Sequence, residues 1–177
     1  VGLFLFFGNS IAQETKATST PSASGTNIGV VDMKKILAQS KAYQSLVDQF
    51  EDVRRKHRNT FTKQEDVIRD EESELLKQKN VLSKEAYAEK VNSLGKKINE
   101  LKQKQNNDAK KIELLFEKST NKIQGALVDV LSIIANNKKL NLVLAKSQVI
   151  LVGKDIDLTD DAIKELNKVL PKISLDK

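Results

Sequence analysis

The stretch KEAYAEKVNSLGKKINELKQKQNNDAKKIELL, residues 84–115, decides the fold. Its apolar residues fall at Tyr87, Val91, Leu94, Ile98 and Leu101. After the polar Gln105 and Asp108 they resume at Ile112 and Leu115. The steps alternate four and three without a slip, which is the seam of a coiled coil rather than the period of a strand. Helix breakers are scarce on both sides: Gly95 is the single glycine between Gly29 and Gly125, and no proline lies between Pro21 and Pro171. An interior glycine or proline costs a helix about 1 or 3 kcal/mol relative to alanine, so a hundred residues nearly free of both read as long helix.

Working outward, a second series precedes the first: Leu46, Phe50 and Val53, then Phe61, Ile68, Leu75 and Leu82 at steps of seven. The two series meet at KNVLSKEA, where Asn80 can end one helix and Ser83 can cap the next. Two long helices joined by a tight turn fold back as an antiparallel hairpin. Pairing Leu75 with Val91 and Ile68 with Ile98 gives an index sum of 166, and Val53 with Ile112 and Phe50 with Leu115 gives 165. A constant sum is what antiparallel helices of equal rise require. The first helix, from about residue 35 to 80, is then about 70 Å long at 1.5 Å per residue. That is too thin an arm to hold a globular core. The same register sets the single histidine, His57, opposite Asp108, and Phe61 opposite Gln105. Polar residues at seam positions fix register and loosen packing, and a histidine among them can also titrate.

Composition narrows the function. The chain has 177 residues with 30 Lys+Arg against 24 Asp+Glu, no cysteine and one histidine. Disulfides, thiolate metal sites and cysteine nucleophiles are therefore excluded, and a histidine-rich metal centre cannot be built. No acid, base and nucleophile can be assembled, so the chain reads as neither an enzyme nor a cofactor protein. Residues 1–12, VGLFLFFGNSIA, read as the end of a secretory signal cleaved near Ala12, which is compatible with a mature chain in the periplasm. Residues 13–27 form a Ser/Thr-rich linker.

After the linker, IGVVD (28–32) reads as a short β-branched strand. Beyond the hairpin, which runs to Asn136 and Asn137, LNLVLA (140–145) and VILVG (149–153) read as two further strands hairpinned through KSQ. Thr159 then reads as the N-cap of a last helix that Pro171 stops. The expected class is α+β: a long antiparallel coiled-coil arm (about 35–137) on a small β-strand body (28–33 and 140–177), in one domain over 28–177. So small a core, with exposed sheet edges, invites pairing between chains.

Charge along the arm is uneven. Asp70, Glu71, Glu72 and Glu74 form an acidic belt, whereas Lys77, Lys79, Lys84, Lys90, Lys96 and Lys97 crowd the turn. The lysines are either a solvated face or a patch that meets anionic lipid. The alternative classes are a basic coiled coil that binds nucleic acid and a structural coiled-coil spacer or tether; with no recognition motif, no aromatic stacking set and only a modest basic excess, the residues speak against nucleic acid as the partner.

In its order of parts the chain resembles the Skp (OmpH-like) periplasmic chaperones of outer membrane proteins. The resemblance rests on the strand IGVVDM, the charged hairpin with its LSKEAY turn, and the closing block LNLVLAKSQVILVGKDIDLTDDAIKEL. It covers about Ile28 to Leu170 and implies a homotrimer with a β-barrel body and three tentacle-like arms. The arms enclose a cavity that holds unfolded outer membrane proteins without ATP. It further implies that Ile28, Val30, Val31, Leu142, Leu144, Val149 and Leu151 build the trimer body. The arm-tip lysines become candidate contacts for anionic lipid or lipopolysaccharide.

Overall fold

A computed structural model of the chain describes residues 25–175. The expected signal segment and residues 13–24 of the linker lie outside them. The described chain runs β1 (Ile28–Val31), α1 (Met33–Gln39), α2 (Lys41–Lys77), α3 (Lys84–Asn137), β2 (Leu142–Ala145) and α4 (Thr159–Val169).

Helices α2 and α3 form the hairpin, about 55 and 80 Å long at 1.5 Å per residue. Between them Gln78–Asn80 tightens into one 3₁₀ turn, and the Ser83 hydroxyl accepts the Ala86 N–H (3.1 Å) to start α3. Across the arm the Phe50 and Phe116 rings lie 4.3 Å apart, an index sum of 166. Lys90 Nζ donates to Gln78 Oε1 (2.8 Å) and Lys97 Nζ to the Glu71 carboxylate (2.8 Å), both at a sum of 168. At the matching levels of the arm the observed sums thus sit one to two residues beyond the expected 165 and 166.

The helix expected from about residue 35 is interrupted. Ser40 adopts an extended φ/ψ of −72°/133°, closing α1 and opening α2. Its N–H donates to the Ile36 carbonyl (2.9 Å) and its hydroxyl accepts the Tyr43 N–H (3.2 Å), so one buried serine caps both helix ends. The break turns α1 back onto the base.

The expected β-hairpin does not form. β2 pairs with β1 in parallel, Ile28 opposite Leu142 through Val31 opposite Ala145, with the whole arm as the crossover between them. KSQ is a 3₁₀ turn, and residues 149–153 are in no strand. The reason is the path of the chain, which leaves β2 to reach the far edge of β1. On its other side β1 bridges Asp157, and the Leu158 N–H donates to the Val30 carbonyl (2.8 Å). Both edges of β1 are taken, which leaves the outer edge of β2 as the open one. Thr159 is likewise not the cap of α4 but its first residue, preceded by Leu158 in the cap position. The capping oxygen comes from Asp157, whose Oδ1 accepts the Thr159 N–H (3.0 Å) and hydroxyl (2.5 Å).

The core lies at the base of the arm. Val31, Ile36, Leu46, Ile123, Leu127 and Leu166 are among the residues that pack there, drawn from β1, α1, both hairpin helices and α4. Gly29 is required by this packing: a Cβ on it would stand 2.5 Å from Leu158 Cδ1 and 2.9 Å from Leu140 Cδ1. Polar staples close the base. The Asp32 N–H donates to Thr159 Oγ1 (2.9 Å), Lys41 N–H to Asn167 Oδ1 (2.8 Å), and Gln49 Nε2 to the Ile173 carbonyl (2.8 Å).

Candidate functional site

Three regions of the scaffold carry unusual surface chemistry: the open base, the mid-arm seam and the tip. At the base, Val30 and Val31 are buried inside the single chain, and Ile28 is half-buried. Leu142 on the open strand is 45% exposed, while Ile150 and Leu151 in the following loop are fully or almost fully exposed. Leu144 and Val149 are intermediate. The seven candidate body residues therefore divide into buried (Val30, Val31), half-buried (Ile28, Leu144, Val149) and exposed (Leu142, Leu151). Two-stranded sheets are marginal in water without further cover. Beneath the sheet, Lys146 Nζ donates to Asp157 Oδ2 (2.9 Å). The Thr159 hydroxyl first, then Lys146, hold the Asp157 carboxyl down at about 2.

Along the seam, packing thins sharply beyond the base. Past Phe50 the only fully buried residue of α2 is Phe61, and α3 buries nothing between Leu94 and Ser119. His57 stacks on Phe61 with ring centroids 4.6 Å apart. The buried Nε2 of His57 and Oε1 of Gln64 find no hydrogen-bond partner among the described residues. Asp108 approaches Lys111 at 4.0 Å, and among the described residues no hydrogen bond joins it to His57. Gln105 is half-buried beside them in the sequence register. A cleft of about 430 Å³ opens at this level, lined by Arg54, His57, Arg58 and Ile112 among others.

At the tip the six candidate lysines do not form one patch. Lys97 is paired with Glu71, Lys77 approaches Glu74 at 3.5 Å, and Lys90 is held by Gln78. Lys79, Lys84 and Lys96 make no ion pair among the described residues. Exposed lysine pairs of this kind contribute little stability, so the tip keeps its positive character. Sequence reasoning missed the apolar side of the tip, where Leu76 (66% exposed) and Val91 (44%) flank a groove reached past Gly95. The signal was present: Gly95 sits on the seam helix where any residue but proline would favour the helix more.

Among the described residues no three His, Asp or Glu side chains gather into a metal-holding group. No helix there is long and apolar enough to cross a membrane. The fold and its three regions thus define a scaffold of one class, a long charged hairpin raised on a small, open α/β base. The chain belongs to the family of OmpH-like outer membrane proteins, whose model matches residues 27–166. Its fold is similar to the crystal structure of an OmpH-like outer membrane chaperone from Caulobacter crescentus. The TM-score is 0.81 over 98% of this chain and 96% of that one, at 14% identity. No curated protein matches the sequence.

Proposed function

We propose that this chain is a periplasmic holdase: it binds unfolded outer membrane β-barrel proteins in a space between helical arms and keeps them from aggregating, without ATP, cofactor or catalysis. The observation that carries the reading is membership of the OmpH-like family over residues 27–166. The geometry supports it. An unfolded β-barrel protein exposes alternating apolar residues that pair edge to edge, and many weak contacts along a charged arm can hold it without trapping it. Mid-arm looseness between Phe61 and Leu94 suits an arm that adapts to clients of different shape.

One chain does not enclose a space. The open edge of β2 and the exposed Leu142, Ile150 and Leu151 favour closure with further copies, which makes the chain a homotrimer whose body gathers Ile28, Val30, Val31, Leu142, Leu144, Val149 and Leu151. The unpaired tip lysines then face anionic lipid or lipopolysaccharide. The signal segment is removed near Ala12 during export, and the domain spans 28–177 with the arm at about 35–137.

Sedimentation of the mature protein with an unfolded outer membrane protein tests this reading. A trimer that carries the client into one co-sedimenting complex is expected. A monomer at micromolar concentration, or a client that pellets as it does without the protein, refutes it.

A further inference from the structure

Most of the large apolar side chains exposed among the described residues stand on backbone that is already hydrogen-bonded. Leu76, Leu114 and Val128 lie in the hairpin helices, and Leu142 lies in the β1–β2 ladder. At the tip the N–H groups of Val81 and Leu82 both donate to the Gln78 carbonyl (3.0 Å). Ile150 and Leu151 differ. They are fully or almost fully exposed, and residues 149–153 around them join no helix, strand or 3₁₀ turn. The backbone is extended at both ends of this stretch, with φ/ψ of −124°/131° at Val149 and −72°/147° at Gly153. The N–H groups of 150–153 and the carbonyls of 149–152 enter no backbone hydrogen bond among the described residues. Both flanks are fastened: a 3₁₀ turn stands on each side, and Lys146 Nζ reaches Asp157 Oδ2 across the foot of the loop (2.9 Å).

We propose that this stretch is a proteolytic cleavage site, open in the single chain and covered in the assembled one, for an endopeptidase with an aliphatic pocket. Endopeptidases take a substrate as an extended strand, main chain against main chain with side chains in pockets, so an amide committed to a helix must first be unfolded. Residues 149–153 meet that demand as they stand, and the exposed apolar residues of the arm do not. The side chains set the class of enzyme. Val149, Ile150, Leu151 and Val152 are all aliphatic, with no basic or aromatic residue among them. A pocket that accepts Leu151 presents the Ile150–Leu151 bond for hydrolysis. Water adds to the Ile150 carbonyl carbon and the C–N bond breaks. The water oxygen stays in the new Ile150 carboxylate, and its two protons finish on the Leu151 amine. Val149 and Leu151 belong to the proposed homotrimer body, so the covering rests on that reading, whereas the exposure in one chain does not. The cut matters for what it detaches. Residues 151–175 carry Leu158, Ala162, Leu166 and Ile173 of the core, and the Leu158 N–H that donates to the Val30 carbonyl. Once severed, this piece is held by noncovalent contacts alone and loses the effective concentration that the chain gave it. Unassembled copies are thereby removed while trimers persist.

Brief digestion of the full mature chain with thermolysin, which cleaves on the amino side of aliphatic residues, tests it. Single chains are prepared by dilution and by Leu142→Arg, which sets a charge on the open strand and opposes assembly. Sedimentation sorts each sample into single chain or trimer, and intact mass locates the first cut. In single chains the first cut is expected at Ile150–Leu151, at least tenfold faster than in trimers. Ile150→Ser combined with Leu151→Ser alters two exposed side chains and should leave the melting temperature of the single chain unchanged. It should slow the cut at least tenfold. A first cut in the arm or at its tip overturns the proposal, and so does a double variant cut at the parent rate. Single chains that resist as trimers do, or trimers cut at Ile150–Leu151 as fast as single chains, overturn it as well. A protein that sediments as a monomer at every concentration and is still cut there first upholds the site and refutes the trimer reading alone.

Discussion

Replacing Phe61 with alanine should release the arm and spare the base. Phe61 is 3% exposed and is the one fully buried side chain of α2 between Phe50 and the turn. A phenylalanine buries about 150–250 Å². At about 25 cal/mol per Å² its removal forfeits about 4–6 kcal/mol if the cavity stays open. The arm is thin and can partly collapse, so the observed loss should fall in the usual range of about 3–5 kcal/mol for buried Phe→Ala. His57 loses its stacking partner as well, and its buried Nε2 has no hydrogen bond to fall back on. Amide hydrogen exchange read by peptide is the assay. Opening free energies in peptides spanning 56–66 and 100–112 should drop by several kcal/mol. Those spanning 120–134, where Ile123, Leu127 and Val130 are buried, should change by less than about 0.5 kcal/mol, as expected for sites that share no partner. A loss spread evenly over arm and base, or one below about 1 kcal/mol in the arm, refutes the claim that Phe61 is the mid-arm anchor.

Gly29→Ala should destabilise by about 1–3 kcal/mol in urea unfolding, because the new methyl meets the side chains of buried Leu158 and half-buried Leu140; a neutral result would mean those leucines move freely. Asp157→Ala should cost about 1–2 kcal/mol, since its carboxylate caps α4 and holds Lys146. The Asp157 carboxyl sits at about 2 in the fold, below the usual value of 3.8. Its stabilisation is therefore complete above about pH 4 and is lost as pH falls towards 2, and the parent should lose more stability than Asp157→Asn across that window. Changing Lys77, Lys79, Lys84, Lys96 and Lys97 to Gln should weaken binding to anionic liposomes at low salt; unchanged flotation would reduce the lysines to a solvated face.

What could be read in the sequence follows from which forces act locally. The four-three spacing from Tyr87 to Leu115 and the capping Ser83 announced the hairpin, because helix period and capping depend on residues a few positions apart. Antiparallel register followed from arithmetic to within two residues. Strand pairing did not. LNLVLA and VILVG alternate well enough for a hairpin, but residues 149–153 are claimed instead by the crossing from β2 to the far edge of β1, where Asp157 bridges Val30. That competition is a tertiary fact with no signal in either strand. The same holds for Ser40, whose neighbours continue an apolar helical pattern across the break, although a serine followed by Lys41 and Ala42 is a legitimate cap. Reading Thr159 as the cap erred by two residues, since Asp157 reaches forward to do that work. At the tip, counting lysines gave the charge but not its pairing with Glu71 and Glu74, nor the groove that Gly95 leaves open.

The holding function is tested most directly by light scattering of an urea-unfolded outer membrane β-barrel protein diluted into buffer without ATP. One trimer of the mature protein per client should suppress the rise in scattering nearly completely, and an equal mass of an unrelated coiled coil should not. Scattering that climbs at the same rate with and without the protein would contradict the account.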